Sequence, residues 1–176
     1  MRTHTSLAAL ALGTLLLTGT ATAVLADGPA YGRAAAQAPL VGTWNIVITP
    51  YICATGEPIT EVAFRSRLSF NADGTMTETT MNPGFEPGQR SIGMGYWERI
   101  GRTSYRAVFE AFVLFTSVVT PPETPFYQQG VQRVDQGIEL LDNNHWTSAA
   151  SVVFRDQNST VVPPTGCMTA AAERLQ

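Results

Sequence analysis

The chain has 176 residues, of which 44% are hydrophobic and 14% are charged. These proportions are typical of one globular domain and exclude a disordered chain, a coiled coil and a multi-span membrane protein. All 11 basic residues are Arg, and with 14 acidic residues the net charge is -3. A chain with this balance lacks the basic surface that binds phosphate backbones, so we expect no nucleic-acid partner.

The N-terminus has the pattern of a secretory signal peptide. Arg2 precedes an apolar block from Ser6 to Leu17, and two small-residue cleavage patterns follow at 21–23 and 24–26. We predict that residues 1–26 are a signal peptide cleaved after Ala26, which makes the protein secreted or periplasmic with no stable membrane span. A retained N-terminal anchor is the alternative, because the uncharged run is long when its Thr and Gly residues are counted.

The segment after the predicted cleavage point has no apolar period and several flexible residues. We interpret residues 27–38 as a linker and residues 39–176 as the folded domain. This domain contains two cysteines, Cys53 and Cys167, and an even number in an oxidising compartment indicates a disulfide. A redox or metal pair is the alternative, although it requires closer spacing or further ligands.

The folded domain shows short strand patterns separated by turn residues, with no sustained helical stripe. Consecutive strands joined by short turns favour an antiparallel meander, and about eight of them remove their exposed edges by closing into an up-and-down β-barrel. The predicted fold class is therefore all-β, with a β-sandwich as the alternative because local patterning does not reveal closure. The predicted strands are 41–49, 62–71, 75–80, 95–100, 104–116, 129–141, 146–155 and 166–175.

A Gly-x-Trp motif opens the first predicted strand, within Leu40-Val41-Gly42-Thr43-Trp44. In a secreted barrel of this length the motif resembles the lipocalin-like (calycin) superfamily, in particular its uncharacterised bacterial secreted members. The resemblance implies that Trp44 closes one end of the barrel and that Arg174 packs across its ring, a contact worth about 1 kcal/mol. Gly42, Trp44 and Arg174 are thus expected to determine the fold and not to contact a ligand.

The candidate ligand-binding residues are large apolar side chains on the predicted inner face. An eight-stranded barrel either fills with side chains or holds one small ligand, and ligand cavities are mainly apolar. A solid core built from the same rings is the alternative. Two Pro-rich segments, 81–92 and 117–126, are longer than hairpins need and are predicted to cover the mouth of the barrel. The candidates are Phe64, Leu68, Phe70, Phe109 and Phe115.

Catalytic chemistry has little support in the sequence. The mature chain has no Lys and a single His, His145, which lies in a predicted turn without a metal-ligand pattern around it. We therefore predict no catalytic residue, metal or cofactor and lean against an enzyme. Glu78, Glu98 and Glu110 lie on separate strands and can in principle converge as a carboxylate pair, although pairing with Arg is the commoner arrangement.

Three functional hypotheses follow from this pattern. The first is a secreted or periplasmic barrel that binds a small hydrophobic or amphipathic molecule without transforming it. The second is a small barrel enzyme of isomerase or cyclase type that uses interior carboxylates and Arg, which a perturbed carboxylate in a cavity would favour. The third is an extracytoplasmic interaction or inhibitor module, which a solid core with exposed apolar loop tips would favour. None of them predicts a particular oligomeric state.

Overall fold

The barrel is closed by eight antiparallel strands that pair in chain order, with the first strand joined to the last. This computed structural model describes residues 38–116 and 127–176. The predicted all-β, up-and-down barrel is confirmed, and the sandwich alternative is wrong. The strands are β1 Gly42–Tyr51, β2 Phe64–Phe70, β3 Thr75–Thr80, β4 Gly93–Arg99, β5 Ser104–Thr116, β6 Tyr127–Leu140, β7 His145–Asp156 and β8 Val161–Arg174.

The predicted and observed strand bounds differ most at β8. The strand begins at Val161, before the predicted start at residue 166, and therefore includes Pro163 and Pro164. A proline inside a strand removes a ladder hydrogen bond and is uncommon in a central strand. Pairing of β8 with β1 ends at Tyr51↔Cys167, and the β7–β8 register shifts near Val152, so the prolines lie at an irregular part of the ladder where a missing N–H is tolerated.

One end of the barrel, which we call the closed end, is filled by five aromatic side chains. Each is at most 4% exposed. Trp44 and Trp146 meet edge to face with ring centres 6.0 Å apart, and Phe70 and Trp97 do so at 6.1 Å. Such pairs contribute about 1 kcal/mol each beyond the apolar area that they bury. The five residues are Trp44, Phe70, Trp97, Tyr105 and Trp146.

Arg174 covers the outer side of the closed end. Its guanidinium carbon lies 4.1 Å from the centre of the Trp44 ring, because β1 and β8 place these two residues opposite each other. The guanidinium donates hydrogen bonds to the carbonyl oxygens of Val41 at 2.8 Å, Asn143 at 2.7 Å and Pro39. Burial lowers the pKa of Arg174 from its ordinary value. One side chain thus joins the first strand, the last strand and the β6–β7 turn.

Gly42 lies directly beneath this guanidinium and has a φ of +133°. A Cβ atom at this position would lie 2.5 Å from Arg174 Nη1. We expect Gly42→Ala to lower the free energy of unfolding by about 1–3 kcal/mol, through backbone strain and displacement of Arg174, as measured by urea denaturation.

The matched control for this prediction is Gly56→Ala. Gly56 also has a positive φ, +75°, but a Cβ there would meet nothing within 4 Å. This variant carries backbone strain without a steric contact, and its φ lies closer to the left-handed region that L residues can adopt, so it should lose less stability than Gly42→Ala. Equal losses for the two variants would contradict the role given to the Arg174 contact.

The disulfide lies at the other end of the barrel, which we call the mouth. Cys53, just after β1, is bonded to Cys167 of β8 with their Cα atoms 5.3 Å apart, as predicted from the even cysteine count. The predicted signal peptide 1–26, linker residues 27–37 and the Pro-rich segment 117–126 lie outside the described residues. Among the residues described, no helix is long and apolar enough to cross a bilayer.

Candidate functional site

An internal cavity of about 40 Å³ lies in the half of the barrel nearer the mouth. Since one water molecule needs about 10–15 Å³ by this measure, the cavity has room for roughly three waters. Most of its wall is apolar, and eight polar or charged residues line it from β3, β6, β7, β8 and the 81–92 segment. Apolar lining residues include Ile46, Phe64, Leu68, Phe109, Val134 and Met168, and the polar ones discussed below are Glu78, Arg90, Gln132, Gln136 and Ser148.

Three of the five predicted ligand-binding residues, Phe64, Leu68 and Phe109, line this cavity. Phe70 lies instead at the closed end, packed against Trp97 and Trp146. The reason is that residues on one face of β2 share a direction but differ in depth along the barrel, and alternation reports only the direction. Phe115 belongs to β5, but its side chain lies outside the described part of the chain.

A buried ion pair crosses the polar side of the cavity. Arg90 Nη2 lies 2.7 Å from Glu78 Oε2, with the two side chains 6% and 3% exposed. Ser66 Oγ donates to Glu78 Oε1 at 2.7 Å, and Arg90 Nε donates to Gln132 Oε1 at 2.5 Å. Buried charges are tolerated when they are paired and their remaining hydrogen-bonding positions are satisfied, as they are here. The pair therefore contributes a polar but electrically neutral surface.

Arg90 is held in place by its backbone as well as by its side chain. Residue 90 forms a bridge with Val113 of β5, the Ser91 N–H donates to the Phe112 carbonyl at 2.9 Å, and the Leu114 N–H donates to the Gln89 carbonyl at 2.9 Å. The end of the 81–92 segment thus extends the pairing of β5 beyond β4. The same segment supplies Phe85 to the cavity wall, consistent with its predicted place at the mouth.

Two further polar side chains lining the cavity lack hydrogen-bond partners. Gln136 and Ser148 are 6% and 8% exposed, and Gln136 Nε2 and Ser148 Oγ have no partner among the described residues. The pairings Gln136↔Ala150 and Ile138↔Ser148 make them diagonal neighbours on the inner face of β6 and β7. A buried polar group without a partner is rare and costs about 1–3 kcal/mol. Among the described residues that line the cavity, these two carry fully buried side-chain atoms with no hydrogen-bond partner.

The closed end contains two further buried polar groups without hydrogen-bond partners in the described part of the chain, and neither lines the cavity. The Tyr105 hydroxyl is buried without a hydrogen-bond partner among the described residues, as is Trp146 Nε1. Burial raises the pKa of Tyr105 above its ordinary value, so the phenol stays protonated and uncharged at neutral pH. The unpartnered groups of the interior are thus all neutral.

The carboxylates considered for catalysis do not converge. Glu78 is interior, whereas Glu98 and Glu110 lie on the outer surface with side chains 46% and 50% exposed, each facing an Arg. His145 is the first residue of β7, and its Nδ1 lies 2.9 Å from Asp142 Oδ2 in the preceding turn. No group of three or more His, Cys, Asp or Glu side chains within the described ranges is placed to hold a metal ion.

Sequence reasoning missed the roles of Arg90, Gln132, Gln136 and Ser148. In β6 the inward residues Gln132 and Gln136 alternate with the outward Arg133 and Asp135, so both faces are polar and no contrast marks the inner one. The available signal was the apolar pair Val134 and Ile138, which share the face of the two glutamines. Arg90 lies near the end of the Pro-rich segment 81–92, and nothing in its local sequence indicates that it enters the barrel.

The residues described above form a cavity with apolar walls, one neutralised ion pair and two unpartnered polar groups. Comparison of the chain with protein-family models, with curated proteins and with solved structures gave no match. The chemistry of this cavity is therefore the basis for assigning a function.

Proposed function

We propose that this protein binds a small hydrophobic or amphipathic molecule inside the barrel and releases it unchanged. The observation that carries the proposal is the internal cavity, because mainly apolar walls with a few fixed polar groups are the usual composition of a ligand site. Export to a secreted or periplasmic location is part of the proposal. The signal-like N-terminus and the Cys53–Cys167 disulfide support it, since disulfides persist in oxidising compartments.

The size of the cavity restricts how such a molecule enters. A volume of about 40 Å³ admits only a small molecule unless a wall moves. Most wall residues belong to paired strands, whereas Phe85 belongs to the 81–92 segment at the mouth, where its ring lies 6.4 Å from that of Phe154. We therefore expect a larger ligand to enter past Phe85 and to occupy the space that its ring fills.

Filling the cavity tests this proposal. Ala150 lines the cavity, so Ala150→Phe is expected to reduce the amount of retained small molecule at least tenfold, with Ala150→Leu giving a smaller loss. The measurement is native mass spectrometry of the purified full chain, followed by solvent extraction and identification of the released molecule. Thermal unfolding of each variant verifies that the barrel has folded.

Ala149→Phe is the matched control. Ala149 directly precedes Ala150 on β7 and is exposed on the outer face, so the same added ring does not reach the cavity. This variant should retain as much small molecule as the wild type. A wild-type protein that retains no molecule, or an Ala150→Phe variant that retains as much as Ala149→Phe, would contradict the proposal.

A second candidate function, an enzyme of isomerase or cyclase type, is favoured by the position of Glu78 and Arg90 in the cavity. A carboxylate and a guanidinium on one wall can orient a substrate and stabilise charge that develops on it. Incubating the extracted molecule with wild-type protein and with Glu78→Gln distinguishes the two functions. A product formed only by the wild type would support the enzyme, whereas an unchanged molecule in both supports the carrier.

A further inference from the structure

The charge of the cavity limits what it can bind. Glu78 and Arg90 are the charged residues among the described residues that line it, and their 2.7 Å ion pair leaves no net charge. Arg90 directs its Nη2, Nε and Nη1 groups to Glu78, Gln132 and the Ser91 carbonyl, respectively. A ligand carboxylate or ammonium would therefore lose its water without gaining an unpaired opposite charge, which is unfavourable. An uncharged ligand avoids this cost.

The hydrogen-bonding capacity of the cavity specifies the polar atom of the ligand. An amide nitrogen such as Gln136 Nε2 donates and does not accept, whereas the Ser148 hydroxyl can do either. Both atoms lack partners and lie on neighbouring strands of one wall. A single acceptor oxygen with two lone pairs can take a hydrogen bond from each of them. Val134, Ala150 and Met168 line the cavity around them with apolar surface.

We propose that the ligand is an uncharged, mainly apolar molecule whose carbonyl oxygen accepts hydrogen bonds from Gln136 Nε2 and Ser148 Oγ. This inference rests on the proposed function and adds the ligand class to it. A hydrocarbon of the same shape leaves both donors unpaired, and a carboxylate brings an uncompensated charge into the barrel. The cavity thus selects for a ketone, aldehyde or ester over a fatty acid.

Three ring compounds of similar shape test the selection. Cyclohexanone has the carbonyl, methylenecyclohexane replaces its oxygen with a CH₂ group, and cyclohexanecarboxylate carries the charge. The three are titrated by NMR into the full chain and into Phe85→Ala, which enlarges the cavity. We expect cyclohexanone to bind about a hundredfold more tightly than methylenecyclohexane, the value of two net hydrogen bonds of about tenfold each, and cyclohexanecarboxylate to bind more weakly than cyclohexanone. The infrared carbonyl stretch of bound cyclohexanone should lie at lower frequency than that of cyclohexanone in an apolar solvent, because a hydrogen bond weakens the C=O bond.

Substitutions at the two donors test their roles. Gln136→Leu and Ser148→Ala should each weaken cyclohexanone binding about tenfold and leave methylenecyclohexane binding unchanged. Each variant removes a buried polar atom that has no partner, so the fold is expected to be retained. Thr147→Ala, the exposed neighbour of Ser148 on β7, is the control and should change neither affinity.

The outcomes separate this inference from the proposed function. Equal or tighter binding of methylenecyclohexane or of cyclohexanecarboxylate would overturn the inference and leave the carrier function intact. Failure of all three compounds to bind to Phe85→Ala would also overturn the inference. The proposed function is contradicted by different results, a purified wild-type chain that retains no small molecule or an Ala150→Phe variant that retains as much as Ala149→Phe.

Discussion

Arg90→Met is expected to lower the free energy of unfolding by about 3–5 kcal/mol, because it leaves the carboxylate of Glu78 buried without its opposing charge. Glu78 is 3% exposed, so bulk solvent does not solvate its carboxylate in place of the guanidinium that lies 2.7 Å away. Gln132 loses its hydrogen-bond donor in the same variant. Urea denaturation at pH 7, with equal slopes for wild type and variant, measures the loss.

Two further variants test whether the loss in Arg90→Met comes from leaving one buried charge unpaired. In Glu78→Leu/Arg90→Met both charges are removed, and apolar side chains replace a buried pair at little cost, so most of the stability should return. In Arg133→Met the lost partner is Glu110, which is half exposed, and the loss should be below about 1 kcal/mol. An Arg90→Met loss no larger than that of Arg133→Met would contradict the description of the interior pair.

Removing the disulfide is expected to cost about 4 kcal/mol in the Cys53→Ala/Cys167→Ala variant. The bond joins positions separated by 114 residues, and a cross-link over a loop of this length restricts the unfolded chain strongly. It also fixes the start of the β1–β2 loop to β8 at the mouth. Denaturation of the oxidised wild type and of the double variant under the same conditions gives the difference.

Reduction of the wild-type protein provides an independent version of the same change. Wild type held in excess reductant should unfold at the same urea concentration as the double variant, and the single variant Cys53→Ala should match both. A double variant within about 1 kcal/mol of the oxidised wild type would show that the bond does not restrict the unfolded chain as expected.

Much of the architecture could be predicted because successive side chains of each strand point alternately into and out of the barrel, which leaves a pattern in the sequence. In β1 the inward Trp44 and Ile46 are buried while Asn45 and Val47 are exposed, and that alternation is visible in the sequence. The turn at 71–74 ends β2 with residues that favour turns. Closure followed from the number of strands and their short connections, since a meander of this length otherwise leaves two open edges.

The cavity could be predicted only in part, because its composition depends on depth along the barrel. Phe64 and Phe70 have the same position in the alternation of β2, yet one lines the cavity and the other packs at the closed end. Local patterning cannot assign that depth before the barrel is closed. The polar side of the cavity is harder to predict than the apolar side, because it brings together Glu78, Arg90 and Gln132, which are distant in the chain.

The ends of the described fold have a practical consequence for handling the protein. The Leu175 N–H donates to the Thr43 carbonyl at 2.8 Å, and Arg174 reaches the carbonyl oxygen of Pro39, so the chain leaves β8 beside the point where it enters β1. Both positions lie at the closed end, opposite the mouth, and Phe85 lines the cavity on the mouth side. Immobilising the chain on a sensor chip through residue 176 should therefore orient every molecule with its mouth towards the flowing solution.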